Sequence, residues 1–416
     1  MFVALTPAMK SGTSFLLAAR QCEIAELEQL ARTGELVGAI GRFVHALQRE
    51  RGISNIFLSS HGARFADQRV QQAEACRTVE QEVRVVFERL DTRDQHVRNG
   101  SRLFSRVAVV LHALEGLPEL RARIGGQALG AGDATAAFGK LVAGLLAVVF
   151  EAADAATDPE ISRALVAMFN FMQGKEFAGQ ERAFGARAFA AGQIDTAGQQ
   201  HWQHLLAAQQ GCLDVFSGFS DFDVLQAERS SHDAAALAKV ERLRHIGCTA
   251  SSGVLDPDLS QVWYEHCTRR IDGMKMVEDL LANRLRGLCE RRIAQARAEL
   301  RDQRAMLEAL SMEAGSADAR APARYGPHLE RSILLMVQEQ SRRLQAMSDE
   351  LDEARASLNE RKVVERAKGL LMAHRQMTED DAYKALRQMA MNQNRRLADV
   401  AAAVLSLAEV LPGASR

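Results

Sequence analysis

From about Leu16 to Leu310 the chain repeats apolar residues at the three- and four-residue spacing of helices, and no stretch alternates apolar and polar residues as a half-buried strand does. That restricts the fold more than any other feature, because helices without a sheet bury their apolar stripes only on one another. The composition agrees: there are only 7 prolines, while Ala, Leu, Gln, Glu and Arg, which lose little rotamer freedom in a helix, are abundant. The helical pattern breaks at His61-Gly62, Asn99-Gly100, Gly116 to Pro118, Gly125 to Gly132, Asp158-Pro159, Gly192, Ser217 to Asp223 and Ser251 to Pro257. These breaks leave roughly eight helices, the number expected of two packed four-helix bundles, with Gly125 to Gly132 near the middle as the crossover between them. The fold class is all-α.

Ser311 to Pro327 is rich in Gly, Ala, Ser and Pro and reads as a linker. Beyond it Ile333, Gln340, Met347 and Ala354 fall at heptad position a, and Val337, Leu344, Leu351 and Leu358 at d. Four apolar d positions suit a two-stranded coiled coil, with Gln340 setting register; an amphipathic helix folded back on the preceding domain fits the same pattern. Three short helices close the chain. Their stripes are Val364, Ala367, Leu370 and Leu371, then Ala382, Leu386, Met389 and Ala390 behind a Thr378 cap, then Leu397, Val400, Ala401, Val404 and Leu405 before the Pro412-Gly413 stop. The expected domains are thus 16–310, a linker at 311–327, a coiled-coil helix at 328–360 and a three-helix module at 361–411.

The net charge is only -1, yet between Arg361 and Arg396 nine Lys/Arg face four acidic residues, an excess of five positive charges. Such a cluster is either a solvated face or the footprint of a phosphate backbone. The runs Glu360 to Met372 (ERKVVERAKGLLM), Met377 to Ala390 (MTEDDAYKALRQMA) and Arg396 to Ala401 (RLADVA) closely resemble an ANTAR domain. The resemblance implies three antiparallel helices that follow a coiled coil, bind paired hairpins of leader RNA and block terminator formation. It makes Lys362, Arg366, Lys368, Arg387, Arg395 and Arg396 the candidates for RNA contact, and implies a homodimer in the RNA-binding state. Tyr383 offers a stacking face, since single-stranded loop bases are read by stacking and edge contacts.

In the first domain Leu36, Ile40, Val44, Leu47, Arg51, Ser54 and Leu58 share one stripe, so a guanidinium sits among apolar side chains. A buried guanidinium needs a partner, either a Glu from another helix or an anion that completes a pocket. Arg244 stands four residues after Val240 and four before Cys248, on an apolar face or, by the rival stripe through Leu243, on the surface. Lys175, Gly179 and Arg182 lie on the face of Met168 and Met172 and read first as a buried ionic network, and second as ligand groups. The motifs Gln48 to Asn55 (QRERGISN), Met172 to Ala183 (MQGKEFAGQERA) and Leu243-Arg244 resemble the NIT domain, a nitrate- and nitrite-sensing family built of two four-helix bundles. The resemblance implies that Arg51 and Arg244, one from each bundle, contact the anion. A guanidinium fork presents parallel N–H donors that match the oxygens of planar nitrate, or the two of nitrite. A NIT domain before ANTAR resembles the nitrate- and nitrite-responsive antiterminators of nitrate assimilation.

Other functions find no footing. There is no P-loop, nucleophile motif, dinucleotide fingerprint or metal pattern, and the six cysteines, Cys22, Cys76, Cys212, Cys248, Cys267 and Cys289, include no CxxC pair. An enzyme, a bound metal or a cofactor is therefore not expected. No kinase or receiver pattern follows the first domain, and DNA binding by the final trio is the rival nucleic-acid reading. The N-terminus lacks a charged region followed by an apolar one, and the longest apolar run, Leu141 to Phe150, is too short to span a bilayer. The expectation is a cytoplasmic regulator with no membrane partner. The residues themselves support an arginine-bound oxyanion, and nitrate comes from the resemblance.

Overall fold

Helices extend wherever the sequence gives them no reason to stop. In the computed structural model, which describes residues 12–90, 100–250, 253–316, 327–375, 377, 379–393 and 395–410, the longest run 48, 58 and 49 residues: α1 (Gly12–Ser59), α10 (Leu259–Ser316) and α11 (Pro327–Arg375). Between α1 and α10 lie α2 (Ala66–Glu88), α3 (Gly100–Glu115), α4 (Leu117–Gly125), α5 (Ala131–Ala155), α6 (Pro159–Ala190), α7 (Thr196–Phe219), α8 (Phe222–Ser231) and α9 (Ala234–Thr249). After α11 come α12 (Glu379–Gln393) and α13 (Leu397–Val410). The one β-type pairing among the described residues is an isolated bridge between Gln193 and Val254.

The described residues divide into two compact units, one up to Gln345 and the other from Ala346 onward. The first holds a pair of four-helix bundles. In one, α1 packs on α2 and α5, and α3 on α5. In the other, α6 packs on α7 and α10, while α9 packs on α10 and α7. The two bundles meet where α1 lies against α10 and α6, and α5 against α6. The chain crosses between bundles at Asp158-Pro159 and not, as the sequence suggested, at Gly125 to Gly132. That glycine stretch joins α4 to α5 within the first bundle, whereas Asp158 accepts the Ile161 amide at 3.0 Å and Pro159 opens α6. Among the described residues ten helices replace the expected eight. A nine-residue α4 fits between two glycine loops, and Asp233 separates α9 from α8 by accepting the amides of Ala235 and Ala236.

Two further boundaries differ. Helix α10 continues to Ser316, into the expected linker, and α11 runs unbroken through the expected junction at 360 and 361. Neither Gly nor Pro occurs between Pro327 and Gly369 to stop it. The heptad residues Leu351 and Leu358 are buried, while Leu344 is 60% exposed; the side chains of Ile333, Val337, Gln340 and Ala354 lie outside the described set. In the second unit Ala367, Leu371, Ala382, Leu386 and Ala401 form the core, flanked by Val364, Met389, Leu397, Val404 and Leu405. Thr378 and Pro412-Gly413, expected as cap and stop, fall outside the described residues.

Helix α5 is the one described helix long and apolar enough to cross a membrane. Its Phe138, Leu145, Val148 and Val149 are buried as core of the first bundle.

The second bundle closes around Trp202 and Trp263, both fully buried, with ring centroids 5.1 Å apart. Gly247 on α9 lets α9 approach α7: a Cβ there would run into the Trp202 ring. The expected outcome of Gly247→Ala is a loss of about 1–3 kcal/mol from overpacking. A thermal melt checks it, and an unchanged midpoint contradicts the tight approach of α9 to α7.

Candidate ligand site and nucleic-acid face

Helix α6 is buried nearly all round, so the charges it carries meet partners from other helices. Arg51 of α1 is 2% exposed and donates from Nη1 to Glu176 Oε1 at 2.6 Å and from Nη2 to Oε2 at 3.2 Å. Gln48 and Gln180 donate to the same carboxylate, both within 2.9 Å. Gly179, one turn along α6, makes room for the fork: a Cβ there meets Arg51 Nη2 at 2.7 Å. The adjacent Glu50 turns the other way, into the first bundle, and accepts Arg121 Nε and Nη2 at 2.8 and 2.9 Å. Neighbouring residues of α1 thus serve different bundles, as the roughly 100° step of a helix allows.

Arg244 on α9 donates from Nε to Glu181 Oε1 at 2.7 Å and from Nη2 to Oε2 at 2.6 Å. Trp202 Nε1 and Gln209 Nε2 also donate to Glu181, at 3.2 and 3.3 Å. Burial on its own raises the Glu181 carboxyl, but Arg244, with Arg270 and Trp202, outweighs it and holds the group below the usual carboxylate range. Burial likewise opposes the charge of Arg244, and Glu181 and Glu241 more than restore it. Both arginines singled out by the sequence are therefore buried and paired, each on a different α6 carboxylate. The partner residues are five apart, so they leave α6 roughly 140° apart around its axis and about 7.5 Å apart along it. Glu176 and Glu181 tie α6 to the first bundle through α1 and to its own bundle through α9.

The third expected cluster is a buried ionic network. Lys175, fully buried, pairs with Glu278 of α10 at 2.5 Å, and burial depresses its pKa despite that partner. Arg182 donates to the Gln48 carbonyl and to Thr268 Oγ1, and lies over the Tyr264 ring 4.9 Å from its centroid. His45 on the facing part of α1 is driven down to about 2 by burial and by the cations Lys175, Lys275, Arg49 and Arg182. It stays neutral at any physiological pH.

Two groups at the site were not singled out from the sequence, although their signal is there. Arg270 stands on the α10 stripe Trp263, Cys267, Met274, Val277 and Leu281, at the same three- and four-residue spacing that exposed Arg51. Gln209 on α7 accepts Arg244 Nη2 at 3.2 Å and also Arg270 Nη2. An open cleft of about 690 Å³ lies in the second bundle beside Arg244, lined in part by Gln209, Arg229, His232, Glu241 and Arg270.

In the second unit Arg387 and Arg395 come together with Tyr383, Met391 and Leu397 around a surface cleft of about 370 Å³. Arg366 and Arg395 are exposed, and Lys362 and Arg387 half-buried. Arg396 is exposed and pairs with Glu360. Lys368 is the exception: it is buried, pairs with Glu365 at 2.9 Å and lies 6.0 Å from the Tyr383 ring centroid.

These features have counterparts in known proteins. The nitrate and nitrite sensing family (NIT) matches residues 42–286, and the ANTAR domain matches residues 352–405. The nitrate regulatory protein of Klebsiella oxytoca is 33% identical over 389 residues, 94% of this chain and 93% of that one. The solved structure of the NasR transcription antiterminator is similar at a TM-score of 0.60 and 31% identity, over 95% of this chain and 99% of the other.

Removing one partner of a buried pair strands the other charge. Glu176→Gln, which leaves the Arg51 charge without a counter-charge, is expected to cost about 3–5 kcal/mol, against under about 1 kcal/mol for Arg42→Ala at the exposed pair with Glu82. Denaturant unfolding of the two variants checks this, and equal losses contradict the strut role given to Glu176.

Proposed function

The chain belongs to the nitrate- and nitrite-sensing NIT family, here joined to an ANTAR domain, and we propose that it is a cytoplasmic transcription antitermination regulator. It binds nitrate or nitrite in the first unit and, in response, binds paired hairpins of leader RNA through the second. No cofactor and no catalytic step is involved. One observation carries this reading: Arg51 and Arg244, two buried guanidinium forks, each close on a carboxylate of the single helix α6.

Nitrate is planar with delocalised charge, so it presents to a guanidinium the same pair of oxygens as a carboxylate. An incoming anion competes with Glu176 or Glu181 for its arginine. The carboxylate that loses its cation is destabilised in the interior, and α6 relaxes by shifting against α1 and α9. A ligand moves such an equilibrium only by its differential affinity for the two arrangements, and displacement of a buried ion pair supplies that difference.

Output follows from α11. Arg343, in its first part, donates to Glu299 of α10 at 2.6 Å and to Glu23 of α1 at 3.2 Å, where Arg20 also pairs with Glu299. Movement of the bundles disturbs this cluster, which frees the heptads of α11 to pair with a second copy. The exposed d residue Leu344 suits such a dimer. Two modules then meet two hairpins, with Arg387 and Arg395 beside Tyr383 receiving loop bases and Lys362, Arg366 and Arg396 meeting phosphates.

Calorimetric titration of the full chain with sodium nitrate is expected to show saturable binding that chloride does not reproduce and that Arg51→Ala loses. Nitrate is expected to tighten leader-RNA binding at least tenfold in a gel-shift titration at fixed salt. Arg387→Ala is expected to weaken RNA binding by about 1–3 kcal/mol with nitrate affinity unchanged. RNA affinity that ignores nitrate contradicts the coupling, and a preference for another oxyanion reassigns the ligand while leaving the arginine chemistry in place.

A further inference from the structure

Among the described residues Arg270 of α10 shares its one carboxylate contact with Arg244. It is about as buried as Arg244, with 10% of each side chain exposed. A guanidinium carries five N–H donors, yet the one hydrogen bond Arg270 makes among the described residues goes to Gln209. Its nearest carboxylate oxygen, on Glu181, is 3.7 Å away and already bonded by Arg244 Nη2 at 2.6 Å. Two guanidinium groups thus share one fully buried carboxylate. Glu241, the other acid within reach of Arg244, has a side chain 58% exposed to water and is correspondingly screened. Burial, and then repulsion from Arg244, push the Arg270 pKa below the usual arginine value.

Both guanidinium groups reach the 690 Å³ cleft that α7, α8, α9 and α10 enclose. The opening therefore coincides with the place where one buried carboxylate, Glu181, is divided between two guanidinium groups, the other acids of the cleft, Glu228 and Glu241, standing beside Arg229 and Arg244 at its lining. Gln209 braces the pair by accepting from both arginines and donating to Glu181. This fixes the spacing of the two forks before any ligand arrives, which lowers the ordering cost of binding.

Resting on the oxyanion-sensor reading above, we infer that Arg270 is a further ligand-binding residue, which with Arg244 forms a two-guanidinium seat for a small planar oxyanion on the floor of this cleft. The anion supplies the charge that Glu181 divides between two arginines, and the cleft is its route of entry. Arg51, buried where α1 meets α6, is then coupled to this seat through α6.

The test is calorimetric titration of the full chain with sodium nitrate, sodium chloride as control, for the wild type and for Arg270→Gln, Arg270→Lys and Arg244→Gln, with melting curves to establish folding. Arg270→Gln is expected to weaken nitrate binding at least tenfold, and Arg270→Lys, which restores the charge without the fork, to recover part of the loss. A purely structural Arg270 moves the melting temperature but not the nitrate affinity of the folded variant. A folded Arg270→Gln that binds nitrate within twofold of wild type, while Arg244→Gln has lost binding, overturns this inference and leaves the sensor reading standing. A wild type that binds neither nitrate nor nitrite overturns both. Should Arg270→Gln not fold, Arg270→Lys decides: at least threefold weaker binding is expected, and unchanged affinity overturns the seat.

Discussion

A guanidinium cannot lie unpaired inside a helical bundle, and the first unit is organised around that constraint. Arg51 and Arg244 come from helices far apart in sequence, and both are answered from α6, by Glu176 and Glu181. Helix α6 consequently has no free face. Its apolar residues fill the second bundle while its charged ones fix the approach of α1, α9 and α10. Glycines appear where this bonding needs backbone-close contact, Gly179 beneath Arg51 and Gly247 beneath Trp202. The tryptophan that occupies the Gly247 space also donates to Glu181, so core packing and ion pairing are set by the same few residues.

A core held by buried ion pairs differs from one held by apolar packing in how it responds to solutes. Apolar side chains offer a small anion nothing. Arginine forks closed on carboxylates are already shaped for a planar oxyanion, and the desolvation of both charges has been met during folding. Exchange of one anionic partner for another then costs mainly the relocation of the displaced carboxylate. Because Glu176 and Glu181 stand on one helix, the pairs they make tie α1 and α9 to the same element. Buried ion pairs contribute modestly to net stability, but they make discrete alternatives available, which a sensor requires.

The sequence made much of this legible, through periodicity. An arginine at an apolar position is visible without coordinates, and Arg51 was located that way; the same spacing marks Arg270 between Cys267 and Met274. What periodicity cannot supply is the partner. Glu176 and Glu181 sit in a motif dense with charge, and only the packing of α1 and α9 on α6 determines which carboxylate answers which arginine. Helix ends behaved similarly. Asp158-Pro159 and Gly192 were readable because capping and breaking are local. The assignment of α5 to the first bundle, which moves the crossover from Gly125 to Gly132 to Asp158, was not, because bundle membership is a matter of long-range contact. In the second unit the apolar stripes predicted the core, but the burial of Lys368 under Glu365 and Tyr383 depends on how α11 meets α12.

The central claim is that an oxyanion and an α6 carboxylate compete for the same guanidinium groups. The most direct test is the nitrate affinity of Glu181→Gln, which keeps the side-chain shape and removes the competing charge, measured calorimetrically beside the wild type at one salt concentration. Competition predicts tighter nitrate binding in the folded variant. Weaker or absent binding means that Glu181 orients the arginines for the ligand instead of contending with it, and contradicts the account.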